Sequence, residues 1–193
     1  MATDSYSRYL IESEDVVEFA RRLEFEPDAR QADVLRCDSK RVLLNCSRQW
    51  GKSTVTALKA VHRAWFEPNA LVMVTGPAGR QAGEFLLKAR DFVARLGVTP
   101  RGDGQNERSI LLPNGSRMVG VPSNEQNLRG FSAASMLVID EASRASVPAT
   151  ECSRFSKEFK SPANLDQGCS SYSRSLRVAN LKERFRDLPF LQD

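Results

Sequence analysis

The sequence predicts an α/β fold with a mostly parallel sheet, and two observations carry this prediction. Short aliphatic or β-branched runs alternate with longer segments of helical periodicity; the runs lie near residues 42–46, 71–75, 117–121 and 135–140. Strands that alternate with helices favour parallel pairing, with the helices flanking the sheet. The chain has 193 residues, 41% of them hydrophobic, which is enough for one domain with a sizeable core.

Two helices are predicted before the first strand. The segment Ser13–Leu23 has apolar residues on one face, and Ser13 is expected to cap it. Asp28 is expected to cap a second, short helix that runs through Leu35.

The middle of the chain predicts alternating elements. One helix is expected from Gly51 to about Trp65, and another from about Arg80 to Leu96, ended by Gly97. Pro113-Asn114-Gly115 separates two apolar runs, which is typical of a β-hairpin. After Ala145 the sequence predicts no further strand, and Leu176–Phe185 is expected to form a helix if it is ordered at all.

The segment Cys46–Thr54 predicts a phosphate-binding loop, because it follows an apolar strand and leads into a helix. Backbone amides of such a loop converge on an anion, and the helix dipole adds positive charge. Gly51 lets the backbone approach phosphate, Lys52 supplies a full charge, and Ser53 offers a hydroxyl to Mg²⁺. Cys46 stands where the usual pattern has glycine. The alternative for this short motif alone is an ordinary helix N-terminus.

A second motif, Met136–Glu141, is an apolar run that ends in two carboxylates. It predicts a buried parallel strand with its acids at the carboxyl edge of the sheet, where ligands bind in open α/β folds. Asp140 is expected to hold Mg²⁺, and Glu141 to polarise the water that attacks a γ-phosphate. The alternative is a strand that ends in solvated acids. The two motifs in this order predict a site for ATP and Mg²⁺.

An aromatic residue and a glutamine, Phe25 and Gln31, precede the loop. The ring can stack on adenine, and the amide can pair with the base edge through a donor and an acceptor. The alternative for Gln31 is a solvated helix residue.

Composition excludes some classes of function and leaves others open. A net charge of +4 permits contact with nucleic acid without requiring it. Four cysteines without C-x-x-C spacing and a single histidine, His62, argue against a zinc site and against most histidine-based catalysis. The N-terminus has no signal-peptide pattern and no apolar run is long enough to cross a bilayer, so an intracellular location, without membrane contact, is expected.

Several motifs in order resemble the large terminase subunit of tailed bacteriophages, over about residues 20–147. The loop, with an arginine early in it, is similar to that family's variant phosphate loop. Phe25, Pro27 and Gln31 look like its adenine-contacting segment, and Val74–Pro77 and Leu128–Phe131 like its following motifs. The resemblance implies a RecA/ASCE-like P-loop NTPase fold of three layers. It also implies that Arg48 senses or stabilises γ-phosphate charge. The nucleotide-binding residues it implies are Gln31, Ser47, Arg48, Gln49, Trp50, Gly51, Lys52, Ser53 and Thr54.

The family resemblance further implies an ATPase that drives double-stranded DNA into an empty procapsid in the bacterial host cytoplasm. Its implied partners are the portal protein, the small terminase subunit and further copies in a homo-oligomeric ring. The expected ATPase domain spans residues 1–147, and residues 148–193 form an atypical tail. That tail has no recognisable Ser/Thr-rich coupling motif and no nuclease acids, so nuclease activity is not expected.

Two other functions stay open on the sequence alone. A DExx-type helicase has similar chemistry, but it needs a second motor domain, for which 193 residues leave no room. The other is a truncated prophage remnant that binds nucleotide or partners without turnover. The intact Lys52, Asp140 and Glu141 favour the enzyme, whereas the atypical tail favours the remnant.

Overall fold

The computed structural model describes residues 9–39, 41–47, 49–123, 131 and 134–142, together with the backbone of 175–180. Helical turns at residues 9–14 precede the named elements. The helices are α1 (Val16–Arg22), α2 (Ala29–Arg36), α3 (Lys52–Phe66) and α4 (Gly79–Arg95). The strands are β1 (Arg41–Asn45), β2 (Leu71–Gly76), β3 (Ser109–Leu111), β4 (Arg117–Pro122), β5 (Met136–Ile139) and β6 (Ser175–Asn180).

The first helical prediction needs a correction, because two helical pieces replace one. Ser13 lies inside the turns at 9–14, where its hydroxyl donates to the Leu10 carbonyl oxygen at 2.7 Å. The cap of α1 is Asp15, whose carboxylate accepts from the Val17 amide at 2.9 Å. Asp15 has extended backbone angles that interrupt the helix. The prediction for α2 is confirmed, since Asp28 and Gln31 form a reciprocal capping box.

The described strands form one sheet in the order β1-β6-β5-β2-β4-β3. β2 pairs in parallel with both β4 and β5. Because β6 runs antiparallel to both β1 and β5, those two strands also point the same way. Four strands are therefore parallel, as the alternating pattern predicts, and β3 forms the expected hairpin with β4.

β6 contradicts two predictions about the tail. Residues 175–180 form a strand, whereas the sequence predicted no strand after Ala145 and a helix from Leu176. Its Cα register places Val178 opposite both Val42 and Val138. The physical reason lies in the sheet: β1 and β5 each need a partner for backbone amides and carbonyls on their facing edges. The periodicity of the sequence near residue 176 does not show that the edges of two distant strands lack a partner.

The two faces of the sheet carry separate apolar clusters. The side chains of Val72, Val74, Met118 and Val138 pack with all four named helices into the larger cluster. Leu71, Met73, Val119, Leu137 and Ile139 belong to the opposite face, where Phe131 and Ala142 pack against them. This alternation assigns each residue of a strand to one face, whereas the parallel pairing brings the carboxyl ends of β2, β4 and β5 to the same edge.

Gly120 sets the distance between α4 and the sheet. A Cβ atom at this position of β4 would lie 2.9 Å from Leu86 Cδ1 and 3.2 Å from Ala82 Cβ. Only glycine lets α4 approach β4 this closely. The start of α4 lies near the carboxyl ends of β4 and β2, since a Cβ atom at Gly79 would lie 3.5 Å from Pro122 and one at Gly76 would lie 3.4 Å from Gln81 Cβ.

Candidate functional site

The loop between β1 and α3 is shaped to present backbone amides. Gln49 and Gly51 both have left-handed backbone angles, with φ of 65° and 88°. Gly51 is the N-cap of α3 and has no side-chain cap, so the amides of the first helical turn stay available for a ligand. Alternation of left- and right-handed residues produces concavities that bind anions. A phosphate-bearing ligand suits this loop better than a neutral one.

The ammonium group of Lys52 is held inside the loop. Its Nζ donates to the carbonyl oxygens of Cys46 and Ser47, at 2.7 and 2.8 Å. These two bonds arch the loop around the lysine. They also make Cys46, which replaces the usual glycine, a backbone acceptor for Lys52.

Two carboxylates follow β5 directly. The Asp140 amide donates to the Thr75 carbonyl oxygen at 2.8 Å, which continues the pairing of β5 with β2 by one residue. The Asp140 carboxylate accepts from the Glu141 amide at 3.0 Å. Glu141 itself has a φ of 52°, an unusual value for a residue with a side chain. The chain therefore turns sharply here, and both acids stay at the carboxyl edge of the sheet.

A cleft of about 380 Å³ joins the loop to these acids. Its lining comprises Gln49, Gly51, Lys52, Ser53, Lys88, Asp140 and Glu141. Residues nearly ninety positions apart in the sequence thus share one cavity, whose lining includes two lysines, the start of α3 and two carboxylates. Such an arrangement can bind a polyphosphate and a divalent cation together.

Lys88 is the lining residue that sequence reasoning missed. It lies on α4, seven residues after Gln81, so both share one helix face. It is half-buried, whereas Leu87 beside it is 57% exposed. A lysine between the buried positions Leu86 and Ala89 of an amphipathic helix was the available signal, but it indicates a site only once α4 is known to border the cleft.

The other predicted nucleotide-binding residues lie around the cleft rather than in its lining. Ser47 is exposed, Thr54 is half-buried in the first turn of α3, and Trp50 packs against the larger core cluster. Arg48 lies outside the described residues, as do Leu128, Arg129 and Gly130 of the predicted contact loop.

Gln31 contacts the loop itself. Its side-chain amide donates to the Trp50 carbonyl oxygen at 3.0 Å, while its Oε1 accepts from the Asp28 amide at 3.1 Å. The ring of Phe25 packs edge-on to Phe92, with 6.1 Å between centroids. In the described residues, then, the predicted adenine segment is anchored to the loop and to α4.

The donor set of the cleft suits magnesium better than zinc. Among the described residues, no three or more His, Cys, Asp or Glu side chains gather into a metal site. Ser53 and Asp140 instead line the same cleft, and both offer oxygen. Mg²⁺ is commonly held by one or two protein oxygens together with phosphate oxygens and water.

Two strongly shifted pKa values lie away from the cleft. Burial lowers the pKa of His62 to about 4; its Nε2 lies 2.9 Å from the Glu12 carbonyl oxygen. Burial opposes ionisation of Asp103, but donors from Asn106, Gln105 and Ser109 outweigh it and lower the pKa to about 2. Both groups have structural roles, so pH effects on folding must be separated from pH effects at the cleft.

Comparison with known families identifies the chain. The sequence model of the family described as "Terminase large subunit, T4likevirus-type, N-terminal" matches residues 43–150. The match covers more than half of the chain, from the phosphate-loop strand to beyond the two carboxylates. The chain belongs to this family. The terminase assignment agrees with the resemblance inferred from the sequence motifs, and it supports a role in DNA packaging.

Some elements of the described structure lie outside the residues that match the terminase family. Helices α1 and α2, with Phe25 and Gln31, precede the matched residues, and β6 follows them. None of the helices in the described part of this terminase chain has the length and apolar character needed to cross a membrane.

Proposed function

We propose that this chain hydrolyses ATP, with Mg²⁺, to power translocation of double-stranded DNA into a procapsid. The observation that carries the proposal is the shared cleft, in which Gly51, Lys52 and Ser53 face Asp140 and Glu141. Membership of the terminase large-subunit family supports the proposal that the activity serves DNA packaging. The expected fold for this activity is a RecA/ASCE-like P-loop NTPase, and four parallel strands with the loop after β1 are compatible with it.

Each group in the cleft has a defined task in this proposal. Amides at the start of α3 and the Lys52 ammonium bind the β- and γ-phosphates. Lys88 adds a second positive charge to the lining of the cleft. Glu141 accepts a hydrogen bond from the attacking water and orients that water. Arg48 is proposed to stabilise the charge that develops on the γ-phosphate.

Magnesium would be held by Ser53 and Asp140. When bound, it neutralises phosphate charge. Lys52 uses two of its three ammonium N–H groups on the loop carbonyls, so the third can donate to a phosphate oxygen.

The partners of this activity follow from the family. Double-stranded DNA is the proposed substrate for translocation, and the portal protein, the small terminase subunit and other copies in a ring are the proposed partners. The proposed location is the cytoplasm of a bacterial host. Residues 148–193 are proposed as an atypical segment, of which β6 lies in the sheet between β1 and β5.

ATP hydrolysis by the full chain, with and without double-stranded DNA, tests the proposal. Glu141→Gln is expected to retain nucleotide affinity while turnover falls by at least about 100-fold, since the base is lost but the phosphate contacts remain. Lys52→Ala is expected to weaken both binding and turnover. Arg80→Ala, which removes an exposed cation of α4, is the control and should resemble wild type.

The same assay decides the alternative, a remnant that binds nucleotide without turnover. The antiparallel direction of β6, between two strands that are parallel to each other, is the observation that favours it. Wild-type protein that binds ATP but shows no turnover at any DNA concentration would establish the remnant. DNA-stimulated turnover that Glu141→Gln abolishes would exclude it.

A further inference from the structure

Gln81 is placed where it contacts one of the two acids of the cleft. Its side-chain Nε2 lies 3.3 Å from Oε2 of Glu141, across 60 residues of sequence. Gln81 is in the first turn of α4, directly after the β2 strand and its Gly76-Pro77 turn. Both side chains are partly buried, so solvent screens their contact only in part.

The orientation of the Gln81 amide is fixed by a second bond. Its Oε1 accepts from the Ala78 amide at 2.8 Å, at the N-terminus of α4. A flipped side chain would direct its NH₂ group at another N–H, so the oxygen must face Ala78 and the NH₂ must face Glu141. Gln81 can therefore only donate to the carboxylate.

Close packing holds the three segments together. A Cβ atom at Gly76 would lie 3.4 Å from both the Asp140 carbonyl oxygen and Gln81 Cβ. The left-handed backbone of Glu141 directs its side chain at this junction, and such a conformation persists only where the surroundings hold it. The end of β2, the start of α4 and the turn after β5 thus converge on one carboxylate.

We propose that Gln81 is a positioning residue that orients the Glu141 carboxylate in the cleft by donating a hydrogen bond to one of its oxygens. The proposal deepens the proposed ATPase function and rests on it for its kinetic consequence. A carboxylate held through one oxygen presents the other in a fixed direction, which a base that orients water requires. An amide donor does not titrate, so it holds Glu141 equally well across the pH range of the assay.

Gln81→Glu is the decisive variant. The substituted carboxylate can still accept from the Ala78 amide and suits the positive end of a helix, so α4 keeps its N-terminus. It cannot donate to Glu141, and it places a like charge beside it. We expect kcat for ATP to fall about 10- to 100-fold, a larger change than that in KM.

Leu87→Glu is the matched control, because it adds the same charge to the exposed face of the same helix. It should leave kcat and KM unchanged. A Gln81→Glu enzyme with wild-type kcat would overturn the positioning role. Equal loss in Leu87→Glu would do the same, because it would assign the effect to helix charge in general.

A measurement without turnover separates this inference from the proposed function. The Gln81 side-chain NH₂ signal of ¹⁵N-labelled full chain is assigned by its loss in Gln81→Glu. In nucleotide-free protein it should shift in Glu141→Gln, whose amide is a weaker acceptor than a carboxylate. An unchanged signal overturns the contact. If wild type hydrolyses no ATP, the ATPase proposal fails, whereas this spectrum still decides whether Gln81 holds Glu141.

Discussion

Lowering the pH is expected to destabilise the protein through His62 before it affects the carboxylates. The imidazole packs against Phe19 and Phe66, with ring centroids 5.2 and 4.8 Å away, and its Nε2 contacts the Glu12 carbonyl oxygen. Burial, with the nearby charges of Lys59 and Arg63, lowers its pKa from 6.5 to about 4. The His62 ring therefore stays neutral in the folded protein at pH values at which His62 of the unfolded chain begins to bind a proton.

The sign follows from proton binding in the two states. Between pH 6.5 and about 4 the unfolded chain binds more protons at His62 than the folded protein does. The contribution of His62 to the free energy of unfolding is therefore fully present above pH 6.5 and is lost as the pH falls through 4. From pH 7 to pH 5 the shift corresponds to a loss of at most about 2 kcal/mol in the free energy of unfolding. The low pKa of Asp103, about 2, places its own contribution below this window.

His62→Gln supplies the matched comparison for urea unfolding at pH 7 and pH 5. Glutamine Nε2 can still donate to the Glu12 carbonyl, but it does not titrate. We expect wild type to lose about 2 kcal/mol more than the variant between these pH values. Burial raises the pKa of Glu67, which acts in the opposite direction, but it does so in both proteins and cancels in the difference. Equal pH dependence in the two proteins would refute the reasoning.

Two further predictions concern α4 and its contact with the sheet. Lys88→Ala is expected to weaken ATP binding about 5-fold, with a smaller effect at high salt, because a half-buried cation at the cleft is worth about 1 kcal/mol. Equilibrium titration measures the affinity, and an equal loss of affinity in the exposed Arg80→Ala would contradict the prediction. Gly120→Val is expected to lower the free energy of unfolding by about 1–3 kcal/mol, because the new side chain meets Leu86 and Ala82. Denaturant unfolding measures that loss, and Gly102→Val, at an exposed glycine, should lose less.

Local sequence information was enough for most of the helices and strands. The β1-loop-α3 unit, the acidic end of β5 and the Asn114-Gly115 hairpin follow from turn chemistry and periodicity that act over a few residues. Asp15 shows the limit of such reasoning. Ser13 and Asp15 are both good caps, and only the turn at residues 9–14 decides between them.

The sequence by itself determined the parallel α/β class, the loop between β1 and α3 and the pair of acids after β5, because each depends on neighbouring residues. Tertiary structure alone decided that Lys88 lines the cleft and that Gln81 contacts Glu141, since both depend on how α4 packs against the sheet. It also decided that residues 175–180 form a strand, because the open edges of β1 and β5 accept a partner that local periodicity does not specify. Contacts between segments distant in the chain are set by packing, and no local pattern encodes them.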